Sequence, residues 1–304
     1  MSKLVSVVIP TYKRSDMLIR TIESVLNQSY NNIEVIVVDD NNNDNYRKET
    51  EEKMIKYKHN PKIRYIKHKR NLGGCAARNT GLRESKGEFI CFLDDDDIIY
   101  KEKIEKQVEF LENNQNFDIV YCSRKVNNMI HSPKIEGNIS YYLLSGDSIV
   151  ITIMLLFKKN KIGNVKWNPN LKRNQEAGFL LDLMNKNDSK IGKLDLVLCE
   201  SDMSDRKNSL NSERNEIEMI NYLKEYNYVV EKLEPNDKNV KAKIYSHRFW
   251  GIGLYHIKAH KIKAGLKAFG KGFMYAPCAF TIHAIKYAIM KLLKIKKDYK
   301  RVIE

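Results

Sequence analysis

Phe89-Ile90-Cys91-Phe92-Leu93-Asp94-Asp95-Asp96-Asp97 is the stretch on which the reading of this chain turns. An unbroken apolar run of this kind marks a strand buried on both faces. Four carboxylates then crowd its carboxyl end. Like charges repel, and burial strips each of its water. A divalent cation relieves both costs. Mg²⁺ and Mn²⁺ prefer oxygen ligands and are often held by one or two carboxylates plus substrate phosphates. The stretch therefore implies a metal–diphosphate site. A plainer reading is also open: acids favour a helix N-terminus, and a helix starting near Lys101 would take them as capping charges.

Outward from this stretch the pattern alternates. Leu4 to Pro10, Ile33 to Val38 and Ile63 to Ile66 read as further strands. A helix opened by Ser15 shows its apolar face at Leu18, Ile22, Val25 and Leu26. Gly73 to Glu84 reads as a second helix. Such alternation predicts an α/β fold with a mostly parallel sheet flanked by helices. Ligands of such sheets gather at the carboxyl ends of the strands. Pro10-Thr11-Tyr12, Asp39-Asp40, Arg70-Asn71 and Asp94 to Asp97 all fall there.

Further along, a helix is expected over 101–113, and strands over 118–122, 150–157 and 194–199. Another helix is expected over 176–185. From about 211 the pattern is helical: 211–233, 238–262 and 276–296. The expected division is a catalytic domain over 1–207 and a helical C-terminal region over 208–304.

The five cysteines are scattered without CxxC pairing, which excludes a zinc cluster and a disulfide framework and points to a reducing compartment. No signal peptide is recognised at Met1-Ser2-Lys3, and no run of about 18 uncharged apolar residues occurs. Net charge is +15, and His256 to Glu304 carries +10 of it, twelve Lys/Arg against two acids. Ile282, Ile285, Ile289 and Leu292 form one apolar face there, with Lys286, Lys291, Lys294, Lys296 and Lys297 around it. Phe269, Phe273, Tyr275 and Phe280 are aromatics suited to an interface. A basic amphipathic tail of this kind suits an anionic membrane surface. No nucleic-acid-binding motif accompanies the charge. The expected location is the cytoplasm, peripherally on the inner face of the cell membrane.

Each motif has its own chemistry. Tyr12 could stack on a nucleobase and Arg14 meet a phosphate or base. Asp39 and Asp40 could accept from a base N–H and a ribose hydroxyl, or simply open an Asn/Asp-rich turn. Asn71-Leu72-Gly73-Gly74 precedes a helix whose N-terminus attracts a diphosphate. Arg78 and Asn79 lie one turn in, where they could face a donor or tie the helix to a neighbour.

Val7-Val8-Ile9-Pro10-Thr11-Tyr12-x-Arg14, Val37-Val38-Asp39-Asp40-x-Asn42-x-Asp44, Asn71-x-Gly73-Gly74-x-x-Ala77-Arg78-Asn79-x-Gly81 and Phe92-Leu93-Asp94-Asp95-Asp96-Asp97 together resemble family 2 glycosyltransferases. The resemblance spans roughly 4–205. It implies a GT-A fold and inverting transfer of a sugar from a nucleotide diphosphate, with a UDP-sugar expected, to a glycan or lipid-linked acceptor. That is the kind of transfer bacterial cell-surface polysaccharide synthesis requires. It implies that Asp39 reads the base and that Asp96, with Asp94, binds Mn²⁺ or Mg²⁺. Asp94 or Asp95 then meets the ribose or a metal-bound water. It implies a general base at the start of a helix some 80 residues later, where Glu176 stands; Asp182 is the alternative. The family's late His ligand has no counterpart: 202–209 offers Asp202, Asp205 and Arg206 instead. Two rival functions stand beside this one, a nucleotidyltransferase on a similar sheet and a non-catalytic membrane- or polyanion-binding module.

Overall fold

The computed structural model describes residues 2–126, 129–146, 150–201, 212–234, 236–281 and 284. It divides into two compact units, Met1–Ser140 with Ile149–Arg206, and Tyr141–Ser148 with Lys207–Glu304.

The first unit is built on one mixed sheet. Its strands are β1 (Val5–Thr11), β2 (Ile33–Asp39), β3 (Ile63–Lys67), β4 (Phe89–Phe92), β5 (Asp97–Ile99), β6 (Ile119–Val126), β7 (Met129–His131), β8 (Leu155–Lys158) and β9 (Ile191–Ser201). The spatial order is β3-β2-β1-β4-β8-β6-β9-β5, with β7 on β6. The quartet β3-β2-β1-β4 is parallel, as the alternation requires. Antiparallel β8 joins it to β6.

Register decides where the chemistry lies. Thr11 pairs with Asp39, and Asp39 with Lys67, so three strand ends are level. On the other side of β1, Val8 pairs with Phe92. Extending that register sets Asp95 beside Thr11, and the Thr11 hydroxyl does donate to Asp95 at 2.8 Å.

The helices of this unit are α1 (Ser15–Leu26), α2 (Asn45–Met54), α3 (Gly74–Glu84), α4 (Lys103–Asn113), α6 (Lys159–Ile162) and α7 (Gln175–Lys186). The helix α3 lies against β1 so closely that a Cβ on Gly81 would sit 2.2 Å from Val8 Cγ1. That approach is why a glycine stands there. Behind the strand ends Phe92, Phe157, Trp167 and Phe179 form an aromatic core. Trp167 and Phe179 stack at 4.5 Å, and Phe92 meets Trp167 edge-on at 5.1 Å.

Several expectations need correction. The aspartate run caps no helix: Asp94 to Asp97 is a turn into β5, closed by the Asp97 amide donating to the Asp94 carbonyl at 3.2 Å. Glu102, not an aspartate of the run, precedes α4, and no side chain caps that helix. Ser15 is the first residue of α1 rather than its cap. The Asn/Asp-rich turn after β2 leads into α2, which is polar and buries only Arg47, Thr50 and Met54. With so little apolar periodicity it left no signal in the sequence. The strand expected over 150–157 is a 3₁₀ turn, Thr152–Met154, followed by β8.

The second unit is helical. It holds most of α5 (Ser140–Ser145) together with α8 (Ser212–Glu225), α9 (Asn227–Leu233), α10 (Val240–Lys258) and α11 (Ile262–Tyr275). Arg248 donates to the Leu143 carbonyl at 2.6 Å, and Glu216 takes both His256 at 3.2 Å and Lys271 at 3.0 Å. The helix α11 occupies the gap between two expected helices. Gly253, Gly265 and Gly272 allow the crossing, since a Cβ on Gly253 would lie 2.3 Å from the Phe269 ring. Phe269 and Phe280, both partly buried, pack on Trp250 at 4.9 and 5.0 Å. The predicted face of Ile282, Ile285, Ile289 and Leu292, with its lysines, lies outside the described residues. No described helix is long and apolar enough to cross a membrane.

Candidate active site

An open cleft of about 450 Å³ lies over the carboxyl ends of β1, β2 and β4. It is lined by Pro10, Thr11, Tyr12, Arg14, Asp40, Asn71, Gly73, Gly74, Ala77, Arg78, Asp94 and Asp95. All twelve lie in the four motifs quoted from the sequence, which therefore share one cavity. Asp39, Asn79, Asp96 and Glu176 are not in its lining.

The strand-end acids divide by direction. Asp39 is wholly buried. Its carboxylate accepts from the Asn41 amide at 2.9 Å and from the Tyr65 hydroxyl, and pairs with Arg47 Nε at 3.2 Å. Burial and this carboxylate push the Tyr65 phenol well above its ordinary range. Asp40 accepts from the backbone amides of Leu72 and Gly73 at 2.8 and 2.7 Å, and meets His68 Nδ1 at 2.7 Å. It thus holds the Asn71-Leu72-Gly73 loop, and Gly73 turns the chain into α3 with φ at +90°. Asn79 exchanges two 2.8 Å hydrogen bonds with the Trp167 backbone, which fastens α3 instead of facing the cleft.

Within the aspartate run, Asp95 turns inward. It takes the Thr11 hydroxyl, the Tyr12 amide at 3.3 Å and Arg14 at 3.3 Å. Burial pushes its carboxyl up to about 6, with Asp96 and Asp94 adding to the rise against Thr11 and Arg14. Thr21 of α1 donates to the Asp95 and Asp97 carbonyls at 3.0 and 2.9 Å, which pins the turn. Asp94, Asp96 and Asp97 present one carboxylate oxygen each, all within 4.8 Å of one another. This all-oxygen set at one strand end suits a small hard cation. Asp97 is a member the sequence reading passed over. A carboxylate one residue past Asp-x-Asp was the available signal.

Two arginines face the run. Arg78 donates to Asp94 at 2.5 Å and to Gln175 at 3.3 Å, and lies over the Trp167 ring at 4.8 Å. Its burial opposes the charge, but Asp94 and Glu176 outweigh that and hold its pKa above the ordinary value. A Cβ on Gly74 would come within 3.2 Å of its guanidinium, so that glycine makes room for it. Arg14 donates to Asp96 at 2.6 Å.

Glu176 lies in the first turn of α7, half-buried, and accepts from Thr152 at 3.0 Å. Its charge reaches Arg78, which ties it electrostatically to the cleft. Asp182 is paired with Lys186 at 2.9 Å, further along α7. The stretch 202–209, where the resemblance places a late metal ligand, lies outside the described residues. Arg47, Tyr65, His68 and Trp167 were missed from sequence. Tyr65, His68 and Trp167 act through partners distant along the chain, which no local spacing reveals, while Arg47 lies eight residues past Asp39 in a helix that left no apolar pattern.

A parallel β3-β2-β1-β4 sheet with a nucleotide-sized cleft and an aspartate turn at its carboxyl edge defines a GT-A fold. The chain belongs to glycosyl transferase family 2, whose family model matches residues 6–172. It is 34% identical over 205 residues to an uncharacterized glycosyltransferase of Rickettsia felis, covering 64% of this chain and 32% of that protein. It thus spans about a third of that relative's length. It is 35% identical over 173 residues to the poly(ribitol-phosphate) beta-N-acetylglucosaminyltransferase TarP of Staphylococcus aureus, covering 54% of this chain and 51% of TarP. Among solved structures it resembles S. aureus TarS 1-349 in complex with UDP-GlcNAc. The TM-score is 0.55 at 16% identity, over 88% of this chain and 90% of that one.

Proposed function

We propose that this protein is an inverting glycosyltransferase. It moves a sugar from a nucleotide-diphosphate donor, a UDP-sugar, to a glycan or lipid-linked acceptor in cell-surface polysaccharide synthesis. One observation carries the reading: Asp94, Asp96 and Asp97 converge within 4.8 Å of one another, and Asp94 lines a cleft that two arginines border. The likeness to TarP supports the acceptor class, and the TarS complex with UDP-GlcNAc supports the donor class.

The roles follow from position. Tyr12, 39% exposed at the cleft, stacks on the base, and the Asp39–Asp40 strand end frames the nucleoside. The N-terminus of α3, which opens at Gly74, faces the diphosphate, as helix N-termini do. Asp96 and Asp94, with Asp97, hold Mn²⁺ or Mg²⁺, which when bound offsets the charge growing on the leaving diphosphate. Arg14 and Arg78 add positive charge beside the same phosphates. Glu176 takes the proton from the acceptor hydroxyl, at the helix start where the resemblance expects the base.

The second unit supports peripheral attachment to an anionic membrane. Ile262, Leu266, Phe273 and Met274 are exposed on α11, which carries Lys263, Lys267 and Lys271 and no acid. Salt-sensitive co-sedimentation with anionic but not neutral vesicles is the expected result. Failure to sediment removes the attachment.

The function itself is tested on a panel of nucleotide sugars with Mn²⁺. Release of a nucleoside diphosphate is expected, and Glu176→Gln should lower acceptor transfer by about 10²–10⁴-fold with donor affinity nearly unchanged. Release of a sugar 1-phosphate instead, the leaving group of nucleotidyl transfer from a nucleotide sugar, would make the protein a nucleotidyltransferase. Binding of no nucleotide sugar would end the enzymatic reading, and a loss below about threefold in Glu176→Gln would move the base to Asp182.

A further inference from the structure

Arg14 and Arg78 are both ion-paired to the aspartate run, but they are held very differently. Only 7% of the Arg78 side chain is exposed, and it is fixed by Asp94, Gln175 and the Trp167 ring. The Arg14 side chain is 48% exposed. Its Nη1 reaches Asp96 at 2.6 Å and Asp95 at 3.3 Å, and those two carboxylates are its contacts in the cleft. Arg14 sits at the N-terminal cap position of α1 with no side-chain cap bond, beside Lys13, whose backbone is in the left-handed region at φ +60°. A long, half-exposed side chain on such a turn swings away from Asp96 without disturbing the core.

We infer that Arg14 is a built-in competitor for the cation site: its guanidinium occupies Asp96 when the cleft is empty and moves to the donor's phosphates when the donor arrives. The inference rests on the donor reading for the second half of that exchange, and on the observed ion pair alone for the first. The physical basis is charge balance. Asp94, Asp96 and Asp97 present three carboxylate oxygens within 4.8 Å, and this crowding needs positive charge nearby in either state. A guanidinium on Asp96 supplies it in the empty cleft. It also raises the free energy of placing a second cation on the same carboxylate. A diphosphate supplies new oxygens that accept the guanidinium bidentately, which Asp96 with a single 2.6 Å contact does not. Arg14 thereby weakens metal binding to the empty protein and strengthens nucleotide binding. Metal and nucleotide are made to bind together.

The test separates these opposite signs. Mn²⁺ is titrated into the full-length, nucleotide-free protein, with free Mn²⁺ read by electron paramagnetic resonance. Arg14→Gln should bind Mn²⁺ about three- to tenfold tighter than wild type, the range expected for losing a partly exposed competing ion pair. UDP titrated without metal should bind Arg14→Gln more weakly. Arg20→Gln, which removes an exposed charge elsewhere on α1, should leave Mn²⁺ affinity at the wild-type value. Unchanged or weaker Mn²⁺ binding in Arg14→Gln overturns the inference, as does Mn²⁺ binding by neither protein. An equal gain in Arg20→Gln overturns it too, by assigning the effect to net charge. The Mn²⁺ titration contains no nucleotide, so it decides the inference even if UDP proves the wrong nucleotide and the donor reading falls.

Discussion

The ends of β2 and β4 flank β1 in one parallel sheet, and both finish in aspartates, yet the two ends do opposite things. Asp39 and Asp40 at the end of β2 are buried and turned onto this protein's own groups: Arg47, Tyr65, His68 and the amides of Asn41, Leu72 and Gly73. Asp94 and Asp96 at the end of β4 keep 28% and 21% of their side chains exposed, and their partners are two arginines at a cleft. A carboxylate whose acceptor sites are filled from within is part of the scaffold. A carboxylate held only by a cation at a cavity is available for exchange. Asp95 marks the boundary: it belongs to the second run but is buried like a member of the first.

The largest effect that tests this contrast is on turnover. Asp96→Ala should lower metal-dependent donor turnover by about 10²–10³-fold, the scale of losing one element of electrostatic stabilisation. Its unfolding free energy should move by no more than about 0.5 kcal/mol. Steady-state kinetics beside a denaturant titration checks both, and wild-type-like activity, or full activity in excess EDTA, would erase the distinction between the two strand ends.

Asp40→Ala should show the reverse balance. It strips two backbone amides and His68 of a buried acceptor, which should cost about 3–5 kcal/mol of stability. The same denaturant titration measures it. A cost below about 1 kcal/mol would mean that the Asn71-Leu72-Gly73 loop is held by something other than this carboxylate.

The smallest effect sharpens the boundary at Asp95. Its folded carboxyl is raised by burial from 3.8 to about 6. Between those values the folded protein keeps a proton that the unfolded chain has lost. Stability of the metal-free protein should therefore fall as pH rises from about 4 to about 6, by on the order of 2 kcal/mol, and be regained on acidification. Asp95→Asn should flatten that slope. An unchanged slope in the variant would assign the titration to another group.

Much of this was readable from local pattern. The apolar runs of β1, β2 and β4 are buried on both faces, so each announces itself without alternation, and the helix–strand order then forces parallel pairing. Register was not readable: strands buried on both faces carry no alternation to fix it, and the level placement of Thr11, Asp39 and Asp95 comes from the strand pairing itself. The helix α2 was not readable because it buries so little, and α11 because its three close-approach glycines make sense only against α10.

The sequence by itself determined that acids, glycines and arginines would meet at the carboxyl edge of a parallel sheet, because strand burial and chain direction dictate where each motif must end. Only the tertiary structure decided which acid does what. The outward or inward turn of a carboxylate depends on groups that arrive from elsewhere in the chain. Arg47 and His68 take Asp39 and Asp40 into the scaffold, Thr11 takes Asp95, and Trp167 with Gln175 clamps Arg78 while Arg14 stays loose. Those partners are separated by up to 97 positions along the chain, so no spacing in the sequence encodes them.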